Sequence, residues 1–307
     1  MKSTSLSINL ACPCPNRCPF CISRLTQQQG SKSSANARLV SSIPKAIDYC
    51  RFNGIDTVLV TGRGEPMMVD RIVVQTVKDL KAGGIPRVEL QTSGAGLTDE
   101  LIGVLAWSGL STISISAASV DEALNQRIMN HDVFYGDLIH KISEAGMIPR
   151  LSLNLTRKDW LPWTHAVKDC RTKGGPMADE PAEVLVDLVD VLIDRLRRCG
   201  CKQLTLRSLG KPRVNSESSV AGVTAAWIDE HGADLSIPGA ITEHVLKKRG
   251  YPVYRLDYGP VVWSYGDMSV VTVDCMATTM EDAGEIRSTV LQADGLVHVG
   301  WQNCPIC

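Results

Sequence analysis

Apolar and polar positions follow two alternating periods over most of the chain. Residues 56–60 form a short, mostly apolar run rich in β-branched side chains, which is typical of a buried strand. Residues 69–82 have helical spacing and end at two glycines, which favour a helix stop. The same pattern predicts strands at 5–10, 56–60, 87–91, 111–116, 149–155 and 202–206. It predicts helices at 42–52, 69–82, 98–107, 120–129, 134–145 and 181–198.

Strand and helix thus alternate about six times with short connections, which predicts parallel strands joined by right-handed crossovers. This architecture is either an open doubly wound sheet or a full or partial barrel, and in both the ligand chemistry lies at the carboxyl ends of the strands. Beyond residue 207 the pattern is mixed, with strands predicted at 261–265, 269–273, 286–292 and 296–301. We expect an α/β core over residues 1–209 and a C-terminal extension over residues 210–307, packed on the core as a substrate cover or auxiliary cluster region.

Composition limits the class of protein. The 307 residues are 44% hydrophobic and 21% charged, and the net charge of −1 disfavours a protein built mainly around phosphate neutralisation. No nucleic-acid-binding domain is evident. No apolar run approaches the roughly 20 residues that a membrane helix needs, and the first nine residues do not resemble a signal peptide. We therefore expect a cytoplasmic protein without a membrane partner.

Cysteines carry the first specific chemistry. There are 11, and in a reducing compartment such cysteines are metal ligands or reactive thiols more often than disulfides. Cys14, Cys18 and Cys21 form a C-x3-C-x2-C loop directly after the first predicted strand. Three thiolates on so short a loop suit three irons of a [4Fe–4S] cluster and leave the fourth iron open, as a catalytic site requires. The alternative is a structural zinc site in which Cys12 is the fourth ligand.

A glycine-rich turn, Thr-Gly-Arg-Gly-Glu-Pro, follows the second predicted strand at residues 61–66. Gly62 and Gly64 permit close backbone approach at the sheet edge, and Glu65 places a carboxylate where the ammonium group of a ligand could bind. Alone, the turn is weak evidence, because any tight loop between strand and helix can need glycines. Together with the cysteine loop one strand earlier, it indicates a cofactor site.

These two motifs, in this order and on these elements, resemble those of the radical S-adenosylmethionine (radical SAM) superfamily. Its hallmarks are a C-x3-C-x2-C loop after the first strand and a Gly-Gly-Glu-type turn after the second; Arg63 between the glycines is a variant found in part of the superfamily. The resemblance covers roughly residues 5–209. It implies a radical SAM enzyme with a partial (β/α)6 TIM-like barrel and a mixed α/β C-terminal extension, using a [4Fe–4S] cluster and S-adenosylmethionine (SAM).

The resemblance also implies roles for individual residues. Cys14, Cys18 and Cys21 would ligate the cluster, and SAM would chelate the open iron through its amino and carboxylate groups. The residues implied in cofactor binding are Phe20 against the adenine, Gly62, Gly64 and Glu65 at the amino group, and Ser93, Ser114, Ser116 and Asn154 at later strand ends. For the serines and the asparagine, a structural role is an equal alternative.

The implied reaction needs an electron donor such as flavodoxin or ferredoxin. One electron from the reduced cluster cleaves SAM to methionine and a 5′-deoxyadenosyl radical, which abstracts hydrogen from the substrate. We expect a small-molecule substrate that is polar or nucleoside-like. A peptide substrate is the alternative within the same class of enzyme.

Three cysteines near the C-terminus remain outside this scheme. Cys275, Cys304 and Cys307 are candidates for an auxiliary iron–sulfur cluster, although their spacing does not match the seven-cysteine pattern of superfamily members with such modules. One alternative is a redox-active cysteine pair that exchanges a hydrogen atom with the substrate. The other is a C-terminal tail whose thiols have no function. Two further alternatives stand outside catalysis: a non-catalytic zinc-binding protein, and a cluster-binding relative that has lost turnover.

Overall fold

Six strands lie side by side in chain order, and each pairs in parallel with the next. The structure is a computed structural model that describes residues 5–24, 33–172, 180–212, 217, 219–256, 260–273 and 289–299. The strands are β1 (Leu6–Leu10), β2 (Thr57–Gly62), β3 (Arg87–Thr92), β4 (Thr112–Ala117), β5 (Ile148–Asn154) and β6 (Gln203–Arg207). The predicted fold class, an α/β protein with a partial TIM-like barrel, is confirmed.

Helices occupy the connections between these strands. They are α1 (Ser33–Ser41), α2 (Ile43–Asn53), α3 (Asp70–Ala82), α4 (Asp99–Trp107), α5 (Glu122–Met129), α6 (Tyr135–Glu144), α7 (Leu161–Thr172) and α8 (Glu180–Arg198), with 3₁₀ turns at Ile22–Arg24 and Pro66–Val69. The hydroxyl of Thr98 accepts from the Leu101 amide at 3.3 Å and caps α4. The sequence did not predict α1 and α7, because few large apolar residues mark them. Within the described ranges, no helix has both the length and the apolar character needed to cross a membrane.

The two faces of the parallel sheet differ in chemistry. Leu6, Ile8 and Leu10 of β1 are fully buried and belong to the hydrophobic core that the strands share with the helices. The intervening residues, Ser7 and Asn9, are polar and buried as well. Successive side chains of a strand point to opposite faces, so one face packs on the helices and the other forms a polar interior.

The C-terminal extension contributes strands to both edges of this sheet. Its elements are α9 (Val220–His231), α10 (Ile237–Ile241), a π-helical turn (Thr242–Leu246), α11 (Lys247–Arg249), β7 (Tyr251–Arg255), β8 (Val261–Tyr265), β9 (Met268–Val273), β10 (Thr289–Leu291) and β11 (Val297–Val299). β9 pairs in parallel with β6, and β10 pairs in parallel with β1. These pairs satisfy the backbone groups that the edges of the six-stranded core would otherwise expose. The boundary between residues 209 and 210 stays a prediction, and the sheet itself is continuous across it.

Isolated cysteines and tryptophans take structural positions. Cys50 is fully buried and Cys201 is 1% exposed, so both pack as small apolar side chains. Trp160, Trp163 and Trp263 belong to the hydrophobic core. The auxiliary-cluster candidates Cys275, Cys304 and Cys307 lie outside the described residues, so that prediction remains open.

Candidate active site

A cavity of about 320 Å³ opens at the carboxyl ends of the parallel strands. Ligand pockets usually span roughly 300–1,000 Å³. The cavity brings together three stretches that are distant in the chain: the cysteine loop after β1, the turn after β2, and the ends of β3 to β6. The predicted site residues on its wall are Cys14, Cys18, Phe20, Cys21, Gly62, Gly64, Glu65, Ser93, Ser116 and Asn154.

Backbone hydrogen bonds attach the start of the cysteine loop to the turn after β2. The amide of Arg63 donates to the carbonyl of Leu10 at 2.9 Å, and the amide of Glu65 donates to the carbonyl of Pro13 at 3.0 Å. The two predicted motifs are therefore one structural unit. Any shift of the turn would move the loop that carries the three thiols.

Two side chains from elsewhere in the fold also hold the cysteine loop. Asn36 of α1 is 5% exposed; its amide group donates to the carbonyl of Ala11 at 2.8 Å and accepts from the Ala11 amide at 2.9 Å. The hydroxyl of Thr224 in α9 donates to the carbonyl of Pro19 at 3.0 Å. Sequence reasoning missed both residues, because no local pattern links them to the loop.

The glycines of the turn are explained by a close approach of backbone to backbone. A Cβ atom on Gly62 would lie 2.3 Å from the sulfur of Cys12, and one on Gly64 would lie 2.1 Å from the Cys12 carbonyl oxygen. Both distances are far inside van der Waals contact. The glycines therefore allow the turn to lie directly against the chain that enters the cysteine loop.

Cys12 faces the protein core and not the cavity. Its side chain is 6% exposed, and its thiol donates to the carbonyl of Leu10 at 3.3 Å. Burial, with smaller contributions from Glu65 and Cys14, raises the pKa of this thiol to about 12. In the described part of the chain, no three His, Cys, Asp or Glu side chains converge on a position for one metal ion. The position of Cys12 thus speaks against the four-cysteine zinc site.

The other three cysteines present their thiols at one end of the cavity. Burial raises the pKa of Cys18 to about 12, and the neighbouring Cys21 and Cys14 add to the rise. Burial also raises the pKa of Cys14, although a hydrogen bond from the Asn16 backbone lowers that pKa and partly offsets the rise. Without a metal, the thiols of Cys14 and Cys18 therefore favour the protonated form, whereas iron stabilises the thiolate. Three soft donors on one short loop, each able to hold one iron, fit a [4Fe–4S] cluster with three protein ligands.

Glu65 is a buried carboxylate, 2% exposed. Its Oε1 accepts from the Thr92 hydroxyl at 2.5 Å and from the Met67 amide at 3.1 Å. Its Oε2 accepts from the Ser93 hydroxyl at 2.6 Å and from the Ser93 amide at 2.8 Å. The role predicted for Glu65, binding of an ammonium group, stays a prediction. Such a group would have to share the carboxylate with these four donors.

Phe20 lies on the cavity wall and contacts α9 of the C-terminal extension. Its ring centroid is 5.5 Å from that of Trp227, at an interplanar angle of 43°. The Trp227 ring in turn stacks on His231 at 4.7 Å and 5°. α9 thus places a row of aromatic rings beside the loop that carries the thiols. The sequence did not indicate a role for Trp227, which comes more than two hundred residues after Phe20.

A buried amide pair joins the C-terminal strands to the first two strands. Asn9 of β1 donates to Gln292, the residue after β10, at 2.8 Å, and the Arg63 guanidinium reaches the same oxygen at 3.5 Å. Asn9 and Gln292 are 1% and 2% exposed. The residue after β10 therefore contacts the turn that lines the cavity, a relationship that no sequence motif signals.

Polar side chains from β4, β5 and β6 form the remaining wall. In the strand register Ser116 lies beside Ser152, and Asn154 lies beside Arg207; all four line the cavity. Ser114, two residues before Ser116 on the same face, is 4% exposed and is not among the described lining residues. Of the two serines predicted on β4, the structure brings Ser116 to the cavity and leaves Ser114 in the barrel interior.

A partial parallel barrel with a three-thiol loop and a buried carboxylate at its carboxyl end is the arrangement expected of barrel proteins that hold a metal cluster beside a small-molecule pocket. Residues 8–156 match the family model of the Radical SAM superfamily. Residues 8–156 therefore form a radical SAM domain, in agreement with the resemblance found in the sequence. Members of the superfamily generally use a [4Fe–4S] cluster and SAM.

Solved structures of similar fold include SuiB from Streptococcus suis. SuiB bound to the precursor peptide SuiA aligns with a TM-score of 0.58 and 13% identity, covering 96% of this chain and 59% of that chain. SuiB bound to S-adenosylmethionine aligns with a TM-score of 0.56 and 14% identity, covering 96% and 60%. The chain thus spans about three fifths of the length of these structures, and the likeness is one of fold. No curated protein sequence matches the chain.

Proposed function

We propose that this chain cleaves SAM reductively and uses the resulting 5′-deoxyadenosyl radical to abstract hydrogen from a substrate bound in the cavity. One observation carries the proposal: the three thiols, the Gly62–Glu65 turn and the polar strand ends line the same cavity. When bound, a reduced cluster supplies one electron to SAM, which separates into methionine and the radical. The substrate loses one hydrogen atom, and the radical becomes 5′-deoxyadenosine.

The protein's own residues would position the reactants. Cys14, Cys18 and Cys21 each hold one iron and leave the fourth iron to SAM. The residues assigned to SAM itself are Phe20 beside the adenine, Gly62, Gly64 and Glu65 at the amino group, and Ser93, Ser116 and Asn154 at the strand ends. Ser93 acts on Glu65 directly, because its hydroxyl donates to that carboxylate. α9 contacts the loop through Thr224 and Trp227 and helps to hold it in place.

A small polar or nucleoside-like substrate is the class that the cavity supports best. Serine and amide side chains line the cavity wall at β4 and β5, where they can form hydrogen bonds with a polar substrate. Flavodoxin or ferredoxin is the proposed electron donor.

A precursor peptide is the second candidate substrate. The similarity of fold to SuiB, whose structure contains a precursor peptide, favours it. A second iron–sulfur cluster held by Cys275, Cys304 and Cys307 would accompany this alternative.

The test is iron and acid-labile sulfide per chain after anaerobic reconstitution, followed by assay of 5′-deoxyadenosine with SAM and dithionite. Wild type is expected to hold about four irons, and the triple variant Cys14→Ala, Cys18→Ala, Cys21→Ala none. Cys199→Ala is the matched control, because this half-buried cysteine lies away from the cavity.

Other outcomes distinguish the alternatives. About eight irons falling to about four in the triple variant would place a second cluster elsewhere and favour a peptide substrate. Zinc in place of iron would contradict the proposal. A loaded cluster that binds SAM without forming 5′-deoxyadenosine would identify a relative that has lost turnover.

A further inference from the structure

The wall of the cavity at β6 carries a guanidinium group. Arg207 is the last residue of β6 and lines the cavity. Its register partner on β5 is Asn154, which lines the cavity as well. Directly opposed residues of a sheet share a face, so the guanidinium and the amide lie side by side. Arginine binds carboxylates and phosphates through a planar fork of donors.

The next residue along the chain, Ser208, has a buried hydroxyl. Ser208 is 4% exposed and lines the cavity, and its amide donates to the Val273 carbonyl at 3.2 Å. Its hydroxyl has no hydrogen-bond partner among the described residues. A buried hydroxyl without a partner costs free energy, so its presence on a cavity wall indicates a ligand group that completes it.

The described lining contains little to repel an anion from this wall. Among the described residues that line the cavity, Glu65 is the one carboxylate. Its two oxygens already accept four hydrogen bonds from Met67, Thr92 and Ser93. Asn154, Arg207 and Ser208 thus form one wall of the cavity, where the guanidinium favours negative charge.

We propose that Arg207 and Ser208 bind a carboxylate group of the substrate. The inference rests on the proposed function, since it assigns one wall of the same cavity. SAM also has a carboxylate, but the proposed function assigns that group to the open iron, at the end of the cavity where the cysteine loop lies. Arg63 lies at that end of the cavity, in the turn after β2 that holds the cysteine loop. Arg207 ends β6, which is four strands away from β2 in the sheet. The substrate is therefore a carboxylate-bearing molecule, such as an amino acid or an acidic peptide side chain.

Saturation-transfer NMR on the reconstituted, SAM-saturated protein tests this inference under anaerobic conditions. The probes are N-acetyl-glutamate amide and its uncharged counterpart, N-acetyl-glutamine amide. We expect wild type to bind the glutamate derivative preferentially and Arg207→Met to weaken that binding at least tenfold, the loss typical of a charge-assisted hydrogen bond. Ser208→Ala should weaken it by a smaller factor. Arg71→Met, at an exposed site on α3, is the matched control and should change nothing.

Iron content and the SAM dissociation constant are measured for each variant, so that failure of this inference and failure of the proposed function are separable. If iron-loaded wild type binds the two probes equally, or binds neither, the carboxylate site is overturned while the proposed function stands. If Arg207→Met raises the SAM dissociation constant and SAM displaces the glutamate derivative, the guanidinium binds the SAM carboxylate and the inference is wrong. If wild type takes up no iron, the proposed function fails, and the same probe comparison on cluster-free protein still decides for or against the carboxylate site.

Discussion

Ser93 donates twice to one oxygen of Glu65: its hydroxyl lies 2.6 Å and its backbone amide 2.8 Å from Oε2. With Thr92 and Met67 on the other oxygen, each of the roughly four lone-pair positions of the carboxylate has a donor from the protein, and a bound ammonium group would share them. The turn after β2 and the turn after β3 are thereby joined through a buried negative charge.

Removing the Ser93 hydroxyl should therefore cost more stability than removing a buried hydroxyl that bonds a neutral group. We expect Ser93→Ala to lower the free energy of unfolding by about 1.5–3 kcal/mol, because the lost hydrogen bond is charge-assisted. The matched control is Ser108→Ala, a buried serine that donates to the Val104 carbonyl at 2.7 Å, for which we expect about 1 kcal/mol. Denaturant unfolding of both variants measures the difference. A smaller loss of unfolding free energy for Ser93→Ala than for Ser108→Ala would contradict a charge-assisted hydrogen bond from Ser93 to Glu65.

Cys12 and the three cavity cysteines should respond differently to replacement by serine. In Cys12→Ser the hydroxyl can still donate to the Leu10 carbonyl, so we expect iron content equal to that of wild type. Single replacements of Cys14, Cys18 or Cys21 each remove one proposed ligand and should lower the iron content sharply. Iron and sulfide analysis after reconstitution measures this contrast. Loss of iron in a folded Cys12→Ser protein would make Cys12 a ligand after all.

Gly64→Ala should displace the cysteine loop. The added Cβ would lie 2.1 Å from the Cys12 carbonyl oxygen, and a backbone atom cannot move aside as the end of a side chain can. We expect a loss of about 1–3 kcal/mol in the free energy of unfolding, typical of overpacking, together with poorer iron retention.

The control for Gly64→Ala is Gly103→Ala in α4, where a Cβ meets no atom within 4 Å. Alanine favours a helix over glycine by roughly 1 kcal/mol, so this change should stabilise the protein slightly. Thermal unfolding of both variants gives the comparison. Equal stability of the two would show that the turn can relax away from the cysteine loop.

Trp227→Ala should weaken SAM binding through Phe20. The two rings lie 5.5 Å apart, and aromatic pairs of this kind contribute about 0.5–1.5 kcal/mol, which corresponds to roughly a two- to tenfold change in affinity if Phe20 contacts the adenine. Equilibrium dialysis of SAM against cluster-loaded protein measures the effect. Trp107→Ala, at an 82% exposed site on α4, is the control and should leave the affinity unchanged. Unchanged affinity in Trp227→Ala would remove the support for α9 as part of the SAM site.

Local patterns in the sequence were sufficient for the six parallel strands, most helices between them, and the loop and turn that line the cavity. Burial of a strand and the cap at Thr98 depend on residues only a few positions apart. The sequence predicted a close approach at Gly62 and Gly64, but not that Cys12 is the residue they approach. Each of these features is encoded by neighbours in the chain, because the strand and helix periods and the turn chemistry are local properties.

Only the tertiary structure decided which distant residues complete the site. The hydrogen bond from Asn9 to Gln292 joins positions 283 residues apart, and the contact of Trp227 with Phe20 depends on how α9 packs over the cysteine loop. The hydrogen bonds from Thr92 and Ser93 to Glu65 likewise depend on the strand register, which brings the end of β3 beside the turn after β2. Such contacts arise when hydrophobic burial and strand pairing bring elements together, and these forces act on whole faces and edges that no short stretch of sequence specifies.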